Sequence, residues 1–237
     1  MDRKLKKLAK SDEFQQEFWQ GFEFLSEHRA EAIRYGGIGL AVIALGIGIY
    51  FYSRHQTTVR QDALANYIRI DDATVGPNTN QANLHYDTEQ QKAQARTQAL
   101  NDLVSKYHGT QEGSIAEFYL ASDFADASNM AEAEKRYKDI MDSGPKDYAA
   151  MARLSLAQLY AGEGKTADAE KLLREAIDHP TATVSKEQAT IELARVISKT
   201  SPAEAKRLLE PLRTLRPAVS REAVAILGDI SQNTNAK

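Results

Sequence analysis

The sequence contains an uncharged run of nineteen residues, from Tyr35 to Ser53, with an arginine on either side. A helix of this length covers roughly 28 Å at about 1.5 Å per residue, close to the ~30 Å hydrocarbon core of a bilayer. A helix buried in a protein core usually carries a polar stripe, whereas positions 36–49 hold no polar residue. The run therefore predicts a transmembrane helix over residues 35–53.

The flanks of this run favour an uncleaved anchor. Thirty-four residues precede it, and bulky Tyr50, Phe51 and Tyr52 stand where a secretory signal would have a small-residue cleavage site. Five of the first ten residues are basic, which predicts a cytoplasmic amino terminus. The arginines nearest the span are evenly divided or reversed, with Arg29 and Arg34 before it and Arg54, Arg60 and Arg69 after it. We expect a single-pass protein with residues 1–34 inside and the large domain outside.

The rest of the chain is long enough for one ordinary domain, and its charge is balanced. The whole sequence has 33 acidic and 30 basic residues and no cysteine. Nucleic-acid binding requires a basic surface, so no nucleic acid is expected as a partner. The absence of cysteine excludes a disulfide framework, a thiolate nucleophile and a cysteine-ligated zinc ion.

The tail before the apolar run has an aromatic pattern. Phe14, Phe18, Phe22 and Leu25 recur at helical spacing after Ser11, which is a suitable helix cap. The pattern predicts an amphipathic helix on the inner membrane surface or against a partner. A juxtamembrane helix without a specific role remains the alternative.

Residues 54–111 are predicted to form a helical pair with a loop. Helices are expected over 55–72 and 87–107, and the segment 75–85, which is rich in Asn and Thr around Gly-Pro-Asn, is expected to be a loop. No long run of alternating β-branched residues occurs, so a sheet is not expected.

From residue 112 to 237 the chain repeats itself at intervals of about thirty-six residues. The phrase Ala131-Glu132-Ala133-Glu134 returns as Ala167-Asp168-Ala169-Glu170 and again as Ala203-Glu204-Ala205-Lys206. A period near 34, small residues at helix crossings and a terminal proline are typical of tetratricopeptide repeats. Residues 221–230 are predicted to form a capping helix. The predicted repeat-packing residues are Ala121, Ala133, Ala157, Ala169, Ala194 and Ala205.

These features predict an all-α fold, with an N-terminal transmembrane helix followed by a tetratricopeptide-repeat-like α-solenoid. In such a solenoid each helix pair buries its apolar stripe by stacking on its neighbours.

No catalytic residue, cofactor site or metal site is predicted. The segment Gly162–Thr166 resembles the end of a phosphate-binding loop, but Leu159 stands where that motif needs glycine. The segment is better explained as a turn, in which Gly162 and Gly164 end one helix and Thr166 caps the next. The five histidines are never three or four residues apart, so helical spacing provides no metal pair.

Two further patterns leave alternatives open. Segment 112–147 has nine acidic and four basic residues, which suits a surface for a basic peptide but also an ordinary solvated face. In the apolar run, Gly37, Ala41, Ala44 and Gly48 lie on one helix face and form a candidate transmembrane helix-packing face. The alternative is that such residues are simply common in membrane spans.

Several phrases resemble a known family. They are Lys10-Ser11-Asp12-Glu13-Phe14, His28-Arg29 before the span, Tyr107-His108-Gly109-Thr110, and the segment Ala116 to Ala121. With the anchor and the repeats, they make the chain similar to the ancillary subunit of the SecYEG translocon. The resemblance implies a bacterial inner-membrane protein whose repeats lie in the periplasm, with the translocon and periplasmic chaperones as partners.

The sequence as a whole therefore predicts a non-enzymatic, membrane-anchored protein-interaction module associated with protein translocation. A self-assembling or envelope-organising scaffold is the alternative, and an enzyme of unknown type comes third. We expect a membrane protein complex, chaperones and the lipid bilayer as partners, and no small-molecule substrate.

Overall fold

The computed structural model describes residues 29–76 and 84–235. The aromatic helix predicted in the tail, with Phe14 and Phe18, lies outside these residues. The chain divides into two compact units, and the boundary falls between Val59 and Arg60.

The first helix, α1, runs without interruption from Arg29 to Asp71. It includes both the apolar run and the helix predicted over 55–72, so these two predicted elements are one. The sequence explains this continuity, because no glycine or proline occurs between Gly48 and Gly76.

The apolar part of α1 is exposed along its whole length. Among the residues that the structure describes, α1 is the one helix long and apolar enough to cross a membrane, and none of its most apolar window is buried. Leu40 is 70% exposed and Phe51 is 64% exposed. A core helix of a water-soluble domain would instead bury most of these side chains.

A very short two-stranded sheet follows α1, where the sequence predicted none. Strands β1 (Thr74–Val75) and β2 (His85–Tyr86) pair in parallel, and the Gly76 N–H donates to the Tyr86 carbonyl at 3.2 Å. Two residues per strand are too few for a period-two pattern to be detected in the sequence. The prediction of no sheet was wrong at this point.

The remaining described residues form eight α-helices and one 3₁₀ turn. All are connected by short segments, as is usual for antiparallel helical neighbours. They are α2 (Glu89–Tyr107), α3 (Gln111–Asp126), α4 (Met130–Ser143), α5 (Lys146–Gly162), α6 (Thr166–Asp178), α7 (Lys186–Ile197), α8 (Pro202–Leu209), the 3₁₀ turn Glu210–Thr214, and α9 (Pro217–Asn235).

Helices α3 to α8 form three consecutive pairs that correspond to the three predicted repeats. Each helix packs on the next, and the first helices of neighbouring pairs also touch, α3 with α5 and α5 with α7. Helix α2 packs on α3 at one end, and α9 packs on α7, α8 and the 3₁₀ turn at the other. The helix predicted over 221–230 therefore exists, and it is longer at both ends.

The turns within the first two helix pairs share one backbone conformation. Gly164, between α5 and α6, has φ +78°, and Ser128, thirty-six residues earlier, has φ +60°. In each turn this residue donates its N–H to the carbonyl three residues back, Ala161 at 3.1 Å and Ala125 at 2.9 Å. A left-handed residue at this position ends a helix and satisfies its last carbonyls.

The capping of α6 differs from the prediction. Lys165, and not Thr166, occupies the N-cap position, and no side chain caps the helix. In the equivalent turn before α4, the Asn129 side chain accepts a hydrogen bond from the Glu132 N–H at 3.4 Å. The prediction that Thr166 caps α6 was wrong because the preceding left-handed glycine shifts the helix start by one residue.

The C-terminal part of α1, after Arg60, joins a small core with α2 and α3. Tyr67 is 2% exposed and packs with Leu100, Leu103 and Leu120. Burial of its ring raises the pKa of Tyr67 to about 12, despite the nearby Arg96 guanidinium.

Charged groups also hold these three helices together. Arg96 on α2 bonds Asp71 at the end of α1 at 2.8 Å, and it bonds Asp123 on α3. The Arg60 guanidinium lies 3.2 Å from the buried Glu112 carboxylate of α3. Part-buried pairs of this kind fix the register of neighbouring helices more firmly than exposed pairs.

The small residues predicted at helix crossings are completely buried. Leu and Ile side chains such as Leu156 and Leu193 pack around them in one continuous core. An alanine at a crossing lets two backbones approach closely, so a larger side chain has no space there. The residues with no exposed surface are Ala121, Ala133, Ala157, Ala169, Ala194 and Ala205.

Replacing the buried alanine of α6 should therefore destabilise the fold. We expect Ala169→Leu to lower the free energy of unfolding by roughly 1–3 kcal/mol, because the added side chain overpacks the core. The matched control is Ala167→Leu on the exposed side of the same helix, which should change it by less than about 0.5 kcal/mol. Denaturant unfolding of the full chain provides the measurement, and equal effects of both substitutions would contradict the assigned register.

Candidate functional site

A polar groove runs along α4 on the first helix pair. Its volume is about 740 Å³, within the range of protein ligand pockets. Side chains of α4 from Ala131 to Asp142 form most of it, and Glu117 of α3 and His108 from the turn before α3 complete it. We call this site the α4 groove.

The turn between α2 and α3 positions His108. Thr110 caps α3 by accepting from the Gly113 N–H at 3.3 Å. The turn is so tight that a Cβ on Gly113 would lie 2.0 Å from the Tyr107 carbonyl oxygen, so only glycine fits. As a result, His108 Nε2 lies 2.8 Å from an oxygen of the Asp139 carboxylate on α4.

A nearly buried ion pair lies beside this histidine. Arg136 of α4 donates to Glu117 Oε1 at 3.0 Å, and the Glu117 side chain is only 9% exposed. The Arg136 guanidinium also stacks over the Phe124 ring, 5.0 Å from its centroid. The other carboxylate oxygen of Glu117 has no hydrogen-bond partner in the structure.

The environment raises the pKa of Glu117. Burial raises the pKa of its carboxyl group, and the opposing effect of Arg136 only partly offsets this. The carboxylate therefore keeps an uncompensated desolvation cost in the folded protein.

Glu134, at the rim of the same groove, is shifted in the other direction. Lys138 donates to it at 2.6 Å, and this hydrogen bond lowers the pKa of Glu134. Lys165 of the next helix pair lies 3.9 Å from its other oxygen. One groove thus contains two carboxylates whose pKa values move apart.

The second helix pair also carries an ion pair between its two helices, with the basic residue on the first helix and the acidic residue, Glu175, at the position equivalent to Asp139. Arg153 lies thirty-six residues after Glu117 and pairs with Glu175 at 3.4 Å. Sequence analysis missed both pairs because it assigned the charged residues of these helices to solvent. The signal that could have revealed them is a charged residue at one fixed repeat position within the apolar stripe.

The transmembrane packing face predicted from the sequence lies on α1. Gly37, Ala41, Ala44 and Gly48 are all exposed, and a Cβ built on Gly37 or Gly48 would meet no atom within 4 Å. Ala41, Ala44 and Gly48 line a shallow depression of about 570 Å³ together with Tyr52 and neighbouring aliphatic residues. The six repeat alanines lie in the core and take no part in the α4 groove.

No metal centre is present in the part of the chain that the structure describes, since no three His, Asp or Glu side chains there cluster suitably. The Gly162–Thr166 segment connects two helices, with no strand before it, so it lacks the setting of a phosphate-binding loop. The α4 groove has the side chains for binding charged groups. At its edge the Ser143 hydroxyl lies 3.3 Å from His108 Nε2, the same ring nitrogen that meets Asp139.

Comparison with known proteins identifies the helical architecture. The family described as a tetratricopeptide repeat-like domain matches residues 30–147 and 139–230, which together cover most of the chain. No curated protein and no solved structure gives a significant match. The predicted all-α fold, with one long apolar helix before a helical repeat domain, is confirmed.

The two shifted carboxylates should give opposite pH dependence. The native pKa of Glu117 lies above its ordinary value of 4.5, so its contribution to stability is complete at low pH and is lost as pH rises through the native value. The unfolding free energy of Glu117→Gln, relative to the natural protein, should therefore rise as the pH increases from acidic to neutral values.

Glu134→Gln is the matched comparison, because the native pKa of Glu134 lies below the ordinary value. Its contribution is present above pH 4.5 and is lost as pH falls through the native value. The variant should lose only about 0.3 kcal/mol near pH 7, because solvent screens the pair, and nothing at low pH. Urea unfolding at several pH values measures the unfolding free energy of both variants. An equal dependence of these free energies on pH would contradict the opposite pKa shifts.

Proposed function

Because the chain belongs to the tetratricopeptide repeat-like domain family, we propose that it is a membrane-anchored protein-interaction module, and specifically an ancillary subunit of the SecYEG translocon. Its repeat domain would contact periplasmic chaperones that receive emerging chains. The observation that carries the proposal is the combination of an exposed apolar helix, α1, with a stack of helix pairs that matches the family.

The anchor rests on the length and composition of α1. Exposed apolar side chains over residues 35–53 are costly in water and favourable in lipid. Tyr35 at one end and Tyr50, Phe51 and Tyr52 at the other suit the two membrane interfaces. Within the bilayer the helix satisfies its own backbone hydrogen bonds, as a spanning segment must.

We assign the protein to the bacterial inner membrane, with the amino terminus in the cytoplasm and the repeat domain in the periplasm. The basic residues Arg3, Lys4, Lys6, Lys7 and Lys10 support this orientation. A long domain can be translocated regardless of its own charge.

The small-residue face of α1 would contact another membrane helix. In lipid, helix association depends on close packing, and glycine and alanine allow the axes to approach. Gly37, Ala41, Ala44 and Gly48 provide such a face, and nothing in the described structure covers it. The same face on two copies would be self-complementary, which supports the second candidate, a self-assembling or envelope-organising scaffold.

The function is tested by recovery of partners from native membranes. Gly37→Leu combined with Gly48→Leu should leave membrane insertion intact and abolish co-purification of the translocon, because the bulky side chains block close packing. Ile43→Leu, at an exposed position of the same helix, is the control and should recover partners normally. Mass spectrometry of the purified material identifies the partners. Unchanged recovery of partners with the double variant would show that α1 takes no part in their recognition.

Orientation is tested separately. A reporter that is active only outside the cytoplasm should be active when fused after Lys237, because the basic tail holds the amino terminus inside. The same reporter fused before Met1 should be inactive. The reverse pattern would invert the assigned orientation and exclude a periplasmic role.

A further inference from the structure

The α4 groove has an excess of negative charge. Five carboxylates line it against three basic side chains and His108. Each of the three basic groups already has a carboxylate partner: Arg136 has Glu117, Lys138 has Glu134 at 2.6 Å, and Lys135 has Glu132 at 3.9 Å. The remaining carboxylates are Asp139 and Asp142.

These two aspartates are not neutralised by lysine or arginine. Among the described side chains, the Asp139 carboxylate is hydrogen-bonded to the His108 ring, whereas Ser143 donates to the Asp139 backbone carbonyl. Asp142 is exposed at the groove edge. A positively charged guest in the groove would therefore meet these two carboxylates without displacing a lysine or an arginine.

Glu117 provides an independent observation at the base of the groove. Its side chain is more than nine-tenths buried and lines the groove, and its Oε2 has no hydrogen-bond partner. A buried carboxylate oxygen without a partner is costly. Because this oxygen is itself inaccessible, a cation in the groove would act on it by electrostatic attraction and not by a hydrogen bond, and such attraction is strong where water is excluded.

The dimensions of the groove suit an extended peptide. From Ala131 to Asp142 the α4 axis rises by about 16 Å, which an extended chain covers with about five residues. Alternate side chains of an extended chain point in the same direction. Basic residues at alternate positions would thus face the groove together.

We propose that the α4 groove binds a lysine- or arginine-bearing extended segment of a partner protein, with Asp139, Asp142 and Glu117 as the recognition residues. This inference rests on the proposed protein-interaction function and specifies the chemistry of the partner. The overall composition of the segment 112–147, nine acidic against four basic residues, adds long-range attraction for such a partner.

The test uses the purified full chain in detergent and a fluorescently labelled heptapeptide of alternating lysine and threonine with four lysines. Fluorescence anisotropy should detect binding that weakens with added salt, and a peptide with glutamate in place of lysine should not bind. Asp139→Asn combined with Asp142→Asn should weaken binding by about tenfold. Glu117→Gln, which keeps the side-chain shape, should weaken it by about fivefold.

The matched control removes two carboxylates from α6, outside the groove. Asp168→Asn combined with Asp178→Asn has the same effect on net charge, and Asp178 occupies the repeat position equivalent to Asp142. This control should bind the lysine peptide as the natural protein does. Thermal unfolding of each variant confirms that the exposed substitutions leave the fold intact.

Three outcomes would overturn the inference. They are equal weakening by the groove and control variants, equal binding of the lysine and glutamate peptides, and binding of spermine, which carries a similar charge, as tightly as the lysine peptide. Failure of the inference is distinguishable from failure of the proposed function. If partners are still recovered from membranes while the lysine peptide does not bind, the interaction role stands and recognition lies elsewhere on the protein.

Discussion

Burial of alanine at the helix crossings is the constraint on which the repeat domain depends. A pair of amphipathic helices cannot bury both apolar stripes by itself, so each pair must stack on a neighbour. The stacking is close because residues such as Ala133, Ala169 and Ala205 have no exposed surface. Larger side chains at these positions would separate the helices and expose the leucines around them. The spacing of the pairs, and hence the surface they present, follows from these small residues.

Charged residues then distinguish one helix pair from the next. The first pair has Glu117 with Arg136, and the second has Arg153 with Glu175, so the first helix contributes the acid in one pair and the base in the other. A nearly buried pair contributes little net stability, because desolvation offsets the attraction. It does fix which side of the groove carries the buried carboxylate. The excess negative charge of the α4 groove comes from Asp139 and Asp142, because Glu117 and Arg136 both line the groove and neutralise each other.

Much of the fold could be predicted from the sequence, because helical spacing and the thirty-six-residue period are local patterns. The helix pairs and the small crossing residues follow from such patterns. The β1–β2 ladder could not be predicted, since strands of two residues leave no periodicity. The start of α6 was misplaced by one residue, because the left-handed Gly164 changes the helix start. The α4 groove was only partly visible, as an acidic composition, because the pairing of Glu117 with Arg136 is a contact between helices.

On the proposed function, anchoring changes how strongly the groove needs to bind. Exposed carboxylates such as Asp139 and Asp142 provide only modest attraction each, since water and salt screen them. A module held by α1 beside a membrane complex meets its partners at a high effective concentration, so weak and reversible contacts are sufficient. Weak contacts also dissociate quickly, which suits a module that contacts emerging chains in succession. The balance of paired and available carboxylates in the α4 groove is consistent with this requirement, because only part of its charge is committed to the fold.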